Sequence, residues 1–299
     1  MKLLKTEEIA KKWGLSERSV RHYCNCGRIP GAVLSGKTWL IPENAEKPAR
    51  KIRHSVPERN NLLRILKEEK DSSLSGGIYH CLQIEMTYNS NHIEGSRLSH
   101  DQTRYIFETH AIGKTDKAIS TDDIIETTNH FRCIDIAIDA AKSTLTESLI
   151  KQFHFVLKTG TSDASKSWFN VGDYKLVENE VGGKETTPPQ EVTKEIRELL
   201  KDYNGKKDIT FEDIIQFHAE FEAIHPFQDG NGRVGRLIMF KECLKHNIIP
   251  VIITDEIKEF YYRGLREWNS EKGYLLDTCR AGQDITEKLI NRFEIKIQN

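Results

Sequence analysis

One segment constrains the fold of this chain more than any other, because two apolar-periodic stretches flank a short glycine-rich loop. Residues 211–224 carry apolar side chains at a spacing that suits one face of a helix. Pro226 cannot continue that helix, and Gly230 and Gly232 permit tight backbone geometry. Apolar periodicity resumes over residues 233–245. The pattern predicts a helix, a loop and a second helix.

The loop carries side chains that suit phosphate chemistry, and residues 225–236 read His-Pro-Phe-Gln-Asp-Gly-Asn-Gly-Arg-Val-Gly-Arg. A glycine-rich turn at a helix N-terminus directs unpaired N–H groups and the positive end of the helix dipole at one spot. Arg233 and Arg236 lie on one face of the next helix and can grip phosphate oxygens. Asp229 can hold a magnesium ion between phosphates. His225 can accept a proton from a hydroxyl near neutral pH.

Residues 230–235 also match the G-x-G-x-x-G pattern of dinucleotide-binding folds and kinase loops. A dinucleotide fingerprint follows a strand, whereas this loop follows an amphipathic helix. The kinase interpretation requires V-A-I-K, H-R-D and D-F-G partners, which the sequence lacks. The sequence contains no Walker A motif either, so we reject these interpretations.

The run at 225–236 fits the core H-x-F-x-(D/E)-G-N-G-R-x-x-R of the Fic family at every specified position, and the chain resembles that family. The resemblance implies transfer of AMP from ATP to a Ser, Thr or Tyr hydroxyl of a protein substrate. Under the same resemblance, the chain itself is one such substrate. His225 is then the general base, and Asp229 binds Mg²⁺, with Mn²⁺ as an alternative. The residues expected around the ATP phosphates are Gly230, Asn231, Gly232, Arg233 and Arg236.

A second segment, Ser90-Asn91-His92-Ile93-Glu94-Gly95, is similar to the (S/T)-x-x-x-E-(G/N) inhibitory motif that accompanies many Fic cores. The resemblance implies an inhibitory helix near residues 85–95, with Ser90 and Glu94 as its functional residues. Glu94 is expected to pair with Arg236 and to displace the γ-phosphate into an unproductive pose. The same carboxylate could orient a water and so support removal of AMP. The alternative is an ordinary helix end with Gly95 as its cap.

The resemblance also implies roles for two further parts of the chain. A β-hairpin flap is expected over residues 172–184, where Tyr174, Lys175 and Leu176 would dock the target backbone by strand addition. An ordinary surface hairpin is the alternative. Tyr262 is expected near the adenine, although aromatic residues at such a position also serve as core packing.

The N-terminal residues suggest a separate module. Thr6 and Ser16 are good helix N-caps, and Gly14 marks a turn between two short helices. Residues 33–42 are typical of a small hairpin, or wing. This part resembles the excisionase and MerR-type winged-helix families, which implies DNA binding. The residues expected on or beside the reading helix are Ser16, Arg18, Ser19 and Arg21.

The charge distribution supports two parts of opposite sign. Residues 1–60 hold 13 Lys and Arg against 6 Glu, a net +7, while the remainder holds 31 against 39, a net −8. A basic helix-turn-helix favours contact with DNA phosphates. A protein-binding module is the alternative, and a homodimer is expected if DNA is the target.

We therefore predict a mainly α protein with a winged helix-turn-helix over residues 1–42, a linker over 43–58 and a Fic-type catalytic domain over 59–299. Six cysteines without zinc-site spacing, and no long apolar run, favour a cytoplasmic enzyme without a membrane partner. Two alternatives remain: another nucleotide or phosphate transferase, or a DNA-bound transcriptional regulator that uses nucleotide as a ligand.

Overall fold

The computed structural model describes residues 2–25, 27–36, 38–48, 61–113, 118–293 and 295. Most of the predicted linker, residues 49–58, lies outside the described residues. The part that is described is mainly helical, with a small mixed module at its N-terminus. No helix among the described residues has the length and apolar character needed to cross a membrane.

The N-terminal module combines two short helices with a three-stranded antiparallel sheet. Its elements are β1 (Leu3–Lys5), α1 (Thr6–Trp13), α2 (Glu17–Asn25), β2 (Val33–Ser35) and β3 (Thr38–Pro42). The strand order is β1-β3-β2, with Leu4 opposite Ile41 and Leu34 opposite Trp39. Ile9, Val20 and Ile41 are fully buried and form a core separate from that of the rest of the chain.

One of the two predicted caps in this module is wrong. Helix α1 begins at Thr6 itself, so Lys5 takes the N-cap position, and the Thr6 hydroxyl donates to Glu17 Oε1 at 2.6 Å. The Ser16 cap is confirmed, since the Ser19 backbone N–H donates to Ser16 Oγ at 3.2 Å. The hairpin predicted over residues 33–42 is also present.

Ten helices follow in the described residues. They are α3 (Asn61–Asp71), α4 (Ile78–His92), α5 (His100–Thr109), α6 (Thr121–Asp139), α7 (Glu147–Lys158), α8 (Pro189–Asn204), α9 (Phe211–Ile224), α10 (Asn231–Lys245), α11 (Lys258–Arg266) and α12 (Lys272–Arg292). Single 3₁₀ turns occur at Ser162–Ser165 and Asp255–Ile257, and two-residue strands β4 (Glu180–Val181) and β5 (Lys184–Glu185) form a hairpin.

Helix α10 is the centre of this helical part, and it packs against α6, α7 and α9. Most of its residues are buried, including Val234, Leu237 and Phe240, as expected for a helix with neighbours on all sides. Burial of each large apolar side chain contributes about 1.5–3 kcal/mol. A Cβ at Gly235 would overlap the side chains of Glu222 and His218, so α9 and α10 approach closely there.

The predicted flap is smaller than expected. Residues 172–177 form turns and bends, and the only paired strands of this region are β4 and β5. The cause is tertiary: the Lys175 N–H donates to Pro226 O at 2.9 Å, and the Tyr174 ring packs against Phe227. This segment is therefore tied to the glycine-rich loop and does not pair with a neighbouring strand.

Candidate active site

His225 lies at the end of α9, in the loop that leads to α10. Its backbone is left-handed, with φ 52°, and its N–H donates to Phe221 O, so it terminates the helix. Its Nδ1 lies 3.4 Å from Glu222 O. Because a carbonyl only accepts, this contact places the proton on Nδ1 and leaves Nε2 as the acceptor. Burial lowers the pKa of His225 to about 4, so the imidazole is neutral at pH 7.

The loop after His225 is braced by an amide. The Phe227 N–H donates to Asn231 Oδ1 and Asn231 Nδ2 donates to Phe227 O, both at 2.8 Å. The Phe227 ring is fully buried and stacks on His154 at a centroid distance of 4.0 Å. The Asn231 side chain thus holds the loop, and the predicted cradling of phosphates by the backbone of residues 230–232 together with Asn231 stays a prediction. Gly230 immediately precedes α10 and has a left-handed backbone, with φ 82°.

Asp229 belongs to a network of charges in which Lys158 and Arg233 are buried. Lys158 Nζ donates to Asp229 Oδ2 at 2.7 Å and to Glu126 Oε1 at 2.6 Å. Arg233 donates to the other oxygen of Glu126 and lies 3.4 Å from Asp229 Oδ2. Although partial burial opposes it, the charges of Arg233 and Lys158 lower the pKa of Asp229 to about 2. The carboxylate is therefore ionised at any physiological pH.

Asp229 is an ionised carboxylate flanked by two cations, and it could hold a metal ion that arrives with phosphates. Among the described residues, no group of three His, Cys, Asp or Glu side chains forms a site made of protein alone. The Asp229 side chain is half exposed at the loop surface. Mg²⁺ is commonly bound by one or two carboxylates together with substrate phosphates, which is the arrangement that a single ionised Asp229 would support.

Arg236 is buried and reaches the predicted inhibitory segment. Its Nε donates to Ser90 Oγ and its NH2 to Ser90 O, both at 3.0 Å, and NH2 also donates to Glu94 Oε1 at 2.7 Å. The predicted contact between Glu94 and Arg236 is present. Tyr262 supports it from the other side, since its hydroxyl donates to Ile93 O at 2.9 Å. That bond ties Tyr262 to residues 90–94, and its expected place near the adenine stays a prediction.

The Glu94 carboxylate lies over the N-terminus of α10. A Cβ on Gly232 would overlap Glu94 Oε1, so a larger residue there would push the carboxylate aside. The first turn of a helix offers unpaired N–H groups and a positive dipole end, where an anion is stabilised. Glu94 thus occupies the part of the loop that was predicted to hold a phosphate, and it also takes the guanidinium of Arg236.

Further residues line this site, and Glu222 among them was not predicted from the sequence. Glu222 faces Gly235 and Arg236, and burial raises its pKa to about 8. His218 is buried, and its Nε2 lies 2.7 Å from the hydroxyl of Tyr261, which is fully buried. The signal for Glu222 was available, because it stands three residues before His225 on a helix whose apolar residues surround it.

Lys158 was also missed, together with its partner Glu126. The lysine is 1% exposed and falls at the C-terminal end of the buried face of α7. The residues of that face are Leu149, Ile150, Phe153, His154, Leu157 and Lys158. A lysine that continues an apolar stripe signals a buried charge with a partner, since charged groups are rarely buried unpaired. Nothing in the sequence indicates that Asp229 is among its partners.

The predicted flap residues separate into buried and exposed groups. The Tyr174 side chain is buried, and Lys175 Nζ donates to Asn179 Oδ1 at 2.7 Å and to Thr186 Oγ1 at 2.5 Å. Burial lowers the pKa of Lys175 to about 8. Leu176 is exposed, so of the three predicted docking residues it alone presents its side chain to a partner.

The predicted DNA-contacting residues of α2 face the helical part of the chain. Ser16 Oγ donates to Asp277 Oδ2 at 3.1 Å, and the Ser19 hydroxyl donates to the same oxygen. The Arg18 guanidinium lies 3.8 Å from the centroid of the Phe260 ring. Arg21 is exposed and pairs with Glu17 at 2.6 Å. The predicted reading face of this helix is thus mostly covered by α11 and α12.

The comparisons with known proteins agree with this geometry. Residues 144–243, about a third of the chain, match the Fic/DOC family. The chain is 25% identical over 219 residues to the protein adenylyltransferase Fic of Aedes aegypti, covering 70% of this chain and 41% of that protein. It is 24% identical over 247 residues to the protein of the same name from Drosophila melanogaster, covering 80% and 45%. The chain thus spans less than half the length of these curated relatives.

Solved structures show the same fold. A Fic domain containing signaling protein from Bacteroides thetaiotaomicron aligns with a TM-score of 0.62 at 22% identity, covering 79% of this chain and 98% of that one. Fic-1 from C. elegans aligns with a TM-score of 0.59 at 18% identity, covering 78% and 72%. The helical part of the chain therefore has the fold of solved Fic proteins, and its residues 144–243 match the Fic/DOC family.

Proposed function

We propose that this chain is a Fic-type protein adenylyltransferase that transfers AMP from ATP to a protein hydroxyl. One observation carries the proposal: a neutral His225 and an ionised Asp229 lie on the same braced loop. This loop leads into the N-terminus of α10, which contains two buried arginines. The names of the relatives support the same reaction.

In the proposed reaction, His225 Nε2 accepts the proton of the acceptor hydroxyl as its oxygen attacks the α-phosphorus of ATP. A bond forms between that oxygen and phosphorus, the bond to the β-phosphate oxygen breaks, and pyrophosphate leaves. A positioned base contributes about 10²- to 10⁴-fold to the rate. Asp229 would hold a Mg²⁺ ion, which when bound neutralises charge on the phosphates.

The arginines and the start of α10 would stabilise the negative charge of the phosphates. Arg233 is already oriented by Glu126, and the N–H groups from Gly230 to Gly232 open onto the helix. Preorganised donors of this kind supply the larger share of catalysis in phosphoryl-type transfer, because they require no reorganisation during the reaction.

We further propose that Glu94 inhibits this reaction. Its carboxylate accepts from Arg236 NH2 and lies over Gly232, where a bound nucleotide would place its outer phosphates. Competition between the carboxylate and a phosphate for one arginine would leave the γ-phosphate misplaced. Glu94 could also orient a water that removes AMP from the modified protein, in which case one residue serves both the inhibition and the reverse reaction.

The donor chemistry is tested with ATP labelled at the α- or the γ-phosphate. The purified Glu94→Gly variant is incubated with Mg²⁺ and either label, and label on protein is counted. Transfer of AMP predicts protein label from the α-position alone. Label from the γ-position would identify a kinase and contradict the proposal.

For the N-terminal module we propose binding to duplex DNA. Its net charge and its order of two helices followed by a β-hairpin support this function. Binding of fluorescent duplex DNA of mixed sequence should weaken in an Arg21→Glu variant and fall steeply with added salt. Equal affinity in the variant would contradict a role for α2 in that binding.

A further inference from the structure

Helix α2 uses one face to contact the catalytic part of the chain. Ser16 and Ser19, at the N-terminus of the helix, donate to one carboxylate oxygen of Asp277. One turn further along, His22 Nε2 lies 3.8 Å from Asp284 Oδ2. Asp277 and Asp284 are seven residues apart on α12, so they are about 10 Å apart along its axis and lie on one face.

Arg18 completes this contact. Its guanidinium lies over the Phe260 ring of α11 at 3.8 Å, and burial lowers the pKa of Arg18. Asp277 is itself held by the catalytic part, since Arg280 NH1 lies 3.7 Å from its Oδ1. The carboxylate is thus presented in a fixed position to the two hydroxyls of α2.

The chemistry of this contact matches that of a phosphate contact. Hydroxyls at the start of a helix, backed by its positive dipole end, are typical ligands of phosphate oxygens in DNA complexes. Here a carboxylate takes that position, and a second carboxylate lies beside His22. The acidic face of α12 therefore satisfies the same groups on α2 that a DNA backbone would use.

We propose that the face formed by Phe260, Asp277 and Asp284 is the resting docking site of helix α2, and that docking there excludes duplex DNA from the helix. This inference rests on the proposed DNA binding of the module. The major groove is about 12 Å wide and admits one helix without a second helix against its contacting face. Docking and groove binding are therefore mutually exclusive, and DNA must displace α12.

The docked state is tested first, without DNA. In the full-length chain, Ser19→Cys is combined with Asp277→Cys, the protein is mildly oxidised, and disulfide-linked peptides are mapped by mass spectrometry. A 19–277 cross-link is expected, because the two native side chains are hydrogen-bonded. The control pairs Asp277→Cys with Ser35→Cys on β2, which should give none. Absence of the 19–277 cross-link, or equal cross-linking of the control, would overturn the docking.

Competition is tested by the affinity of the full-length chain for duplex DNA at one fixed salt concentration. Asp277→Lys should bind at least about tenfold more tightly than the wild type, because the docked state no longer competes. Asp208→Lys is the matched control, since it makes the same charge change at an exposed position between α8 and α9. An equal gain in both variants would reflect charge alone and would overturn the competition.

A third comparison separates failure of this inference from failure of DNA binding itself. If wild type and Asp277→Lys bind equally, and Arg21→Glu weakens both, the module binds DNA but docking does not exclude it. If no variant binds DNA more tightly than Arg21→Glu, both the proposed DNA binding and the exclusion of DNA by docking are refuted. The 19–277 cross-link then still decides whether α2 docks on α12.

Discussion

At the scale of single residues, Arg236 has the contacts that define the resting state of the site. It is buried, it donates to both Ser90 and Glu94, and its NH1 lies 3.4 Å from the Tyr261 hydroxyl. Loss of one partner of a buried ion pair typically costs about 3–5 kcal/mol, because the remaining charge is left unpaired. A phosphate that replaced Glu94 would satisfy the same guanidinium, so we expect the site to exchange a carboxylate for a nucleotide.

The acid limit of activity should lie well below that of an ordinary histidine. His225 must be neutral to accept a proton, and its pKa of about 4 means that it stays neutral as the pH falls through 6.5. The single-turnover rate of α-label transfer by Glu94→Gly should therefore be nearly flat from pH 7 to 5. A rate that falls tenfold for each pH unit below 6.5 would contradict a buried neutral base.

Glu222 should make the folded state less stable as the pH rises. Burial raises its folded pKa to about 8, above its unfolded value, so its contribution is complete below about pH 4.5 and is lost as the pH rises through 8. Glu222→Gln mimics the protonated acid and should remove this loss. We expect the free energy of unfolding of the wild type, minus that of the variant, to fall between pH 5 and 8 in urea titrations. A constant difference would refute the assignment.

At the scale of elements, the site is assembled where α4, α9, α10 and α11 meet. Helix α9 ends at His225, α10 begins at Asn231, and the segment after α4 supplies Glu94. Helix α11 places Tyr261 and Tyr262 in successive positions, one beside Arg236 and one on Ile93 O. The inhibitory segment is thus held from two helices at once.

Tyr262→Phe should weaken the hold on this segment without removing Glu94. The change deletes one hydrogen bond, which contributes about 0.5–1.5 kcal/mol. Label transfer by otherwise native protein should rise about two- to tenfold, because more molecules have Glu94 displaced. Tyr203→Phe is the matched control. It removes a 2.9 Å hydrogen bond from the Tyr203 hydroxyl to Glu242, which is not part of the inhibitory segment. Equal rates in both variants would contradict a role for Tyr262 in inhibition.

The sequence predicted the elements around the loop for clear reasons and missed others for equally clear ones. Helix α9 has the predicted bounds, because its apolar spacing and the following Pro226 define both ends. Helix α12 was not predicted, since its buried face includes Thr278, Gln283 and Thr286, which weaken the apolar period. Helix α4 begins at Ile78, and Gly76, with φ 77°, turns the chain just before it.

At the scale of the whole molecule, the described residues form a small N-terminal core, a large core in the helical part and a third cluster of Leu98, Ile106 and Phe131, and polar contacts join α2 to the helical part. The small core holds Ile9, Val20 and Ile41, and the large one surrounds α10. Charge and hydrophobic pattern along the chain predicted this division. They could not predict that α2 faces Asp277, because a contact between residues 258 positions apart leaves no local trace in sequence.

In the proposed function, His225 carries out the transfer and Glu94 restrains it. One experiment tests both roles. Transfer of α-labelled phosphate from ATP to protein is measured for the wild type, Glu94→Gly, His225→Ala and the double variant, at equal concentrations with Mg²⁺. We expect at least about tenfold more label in Glu94→Gly than in the wild type, and a loss of about 10²-fold or more wherever His225 is replaced. Equal label in the wild type and Glu94→Gly, or undiminished label in the double variant, would contradict the account.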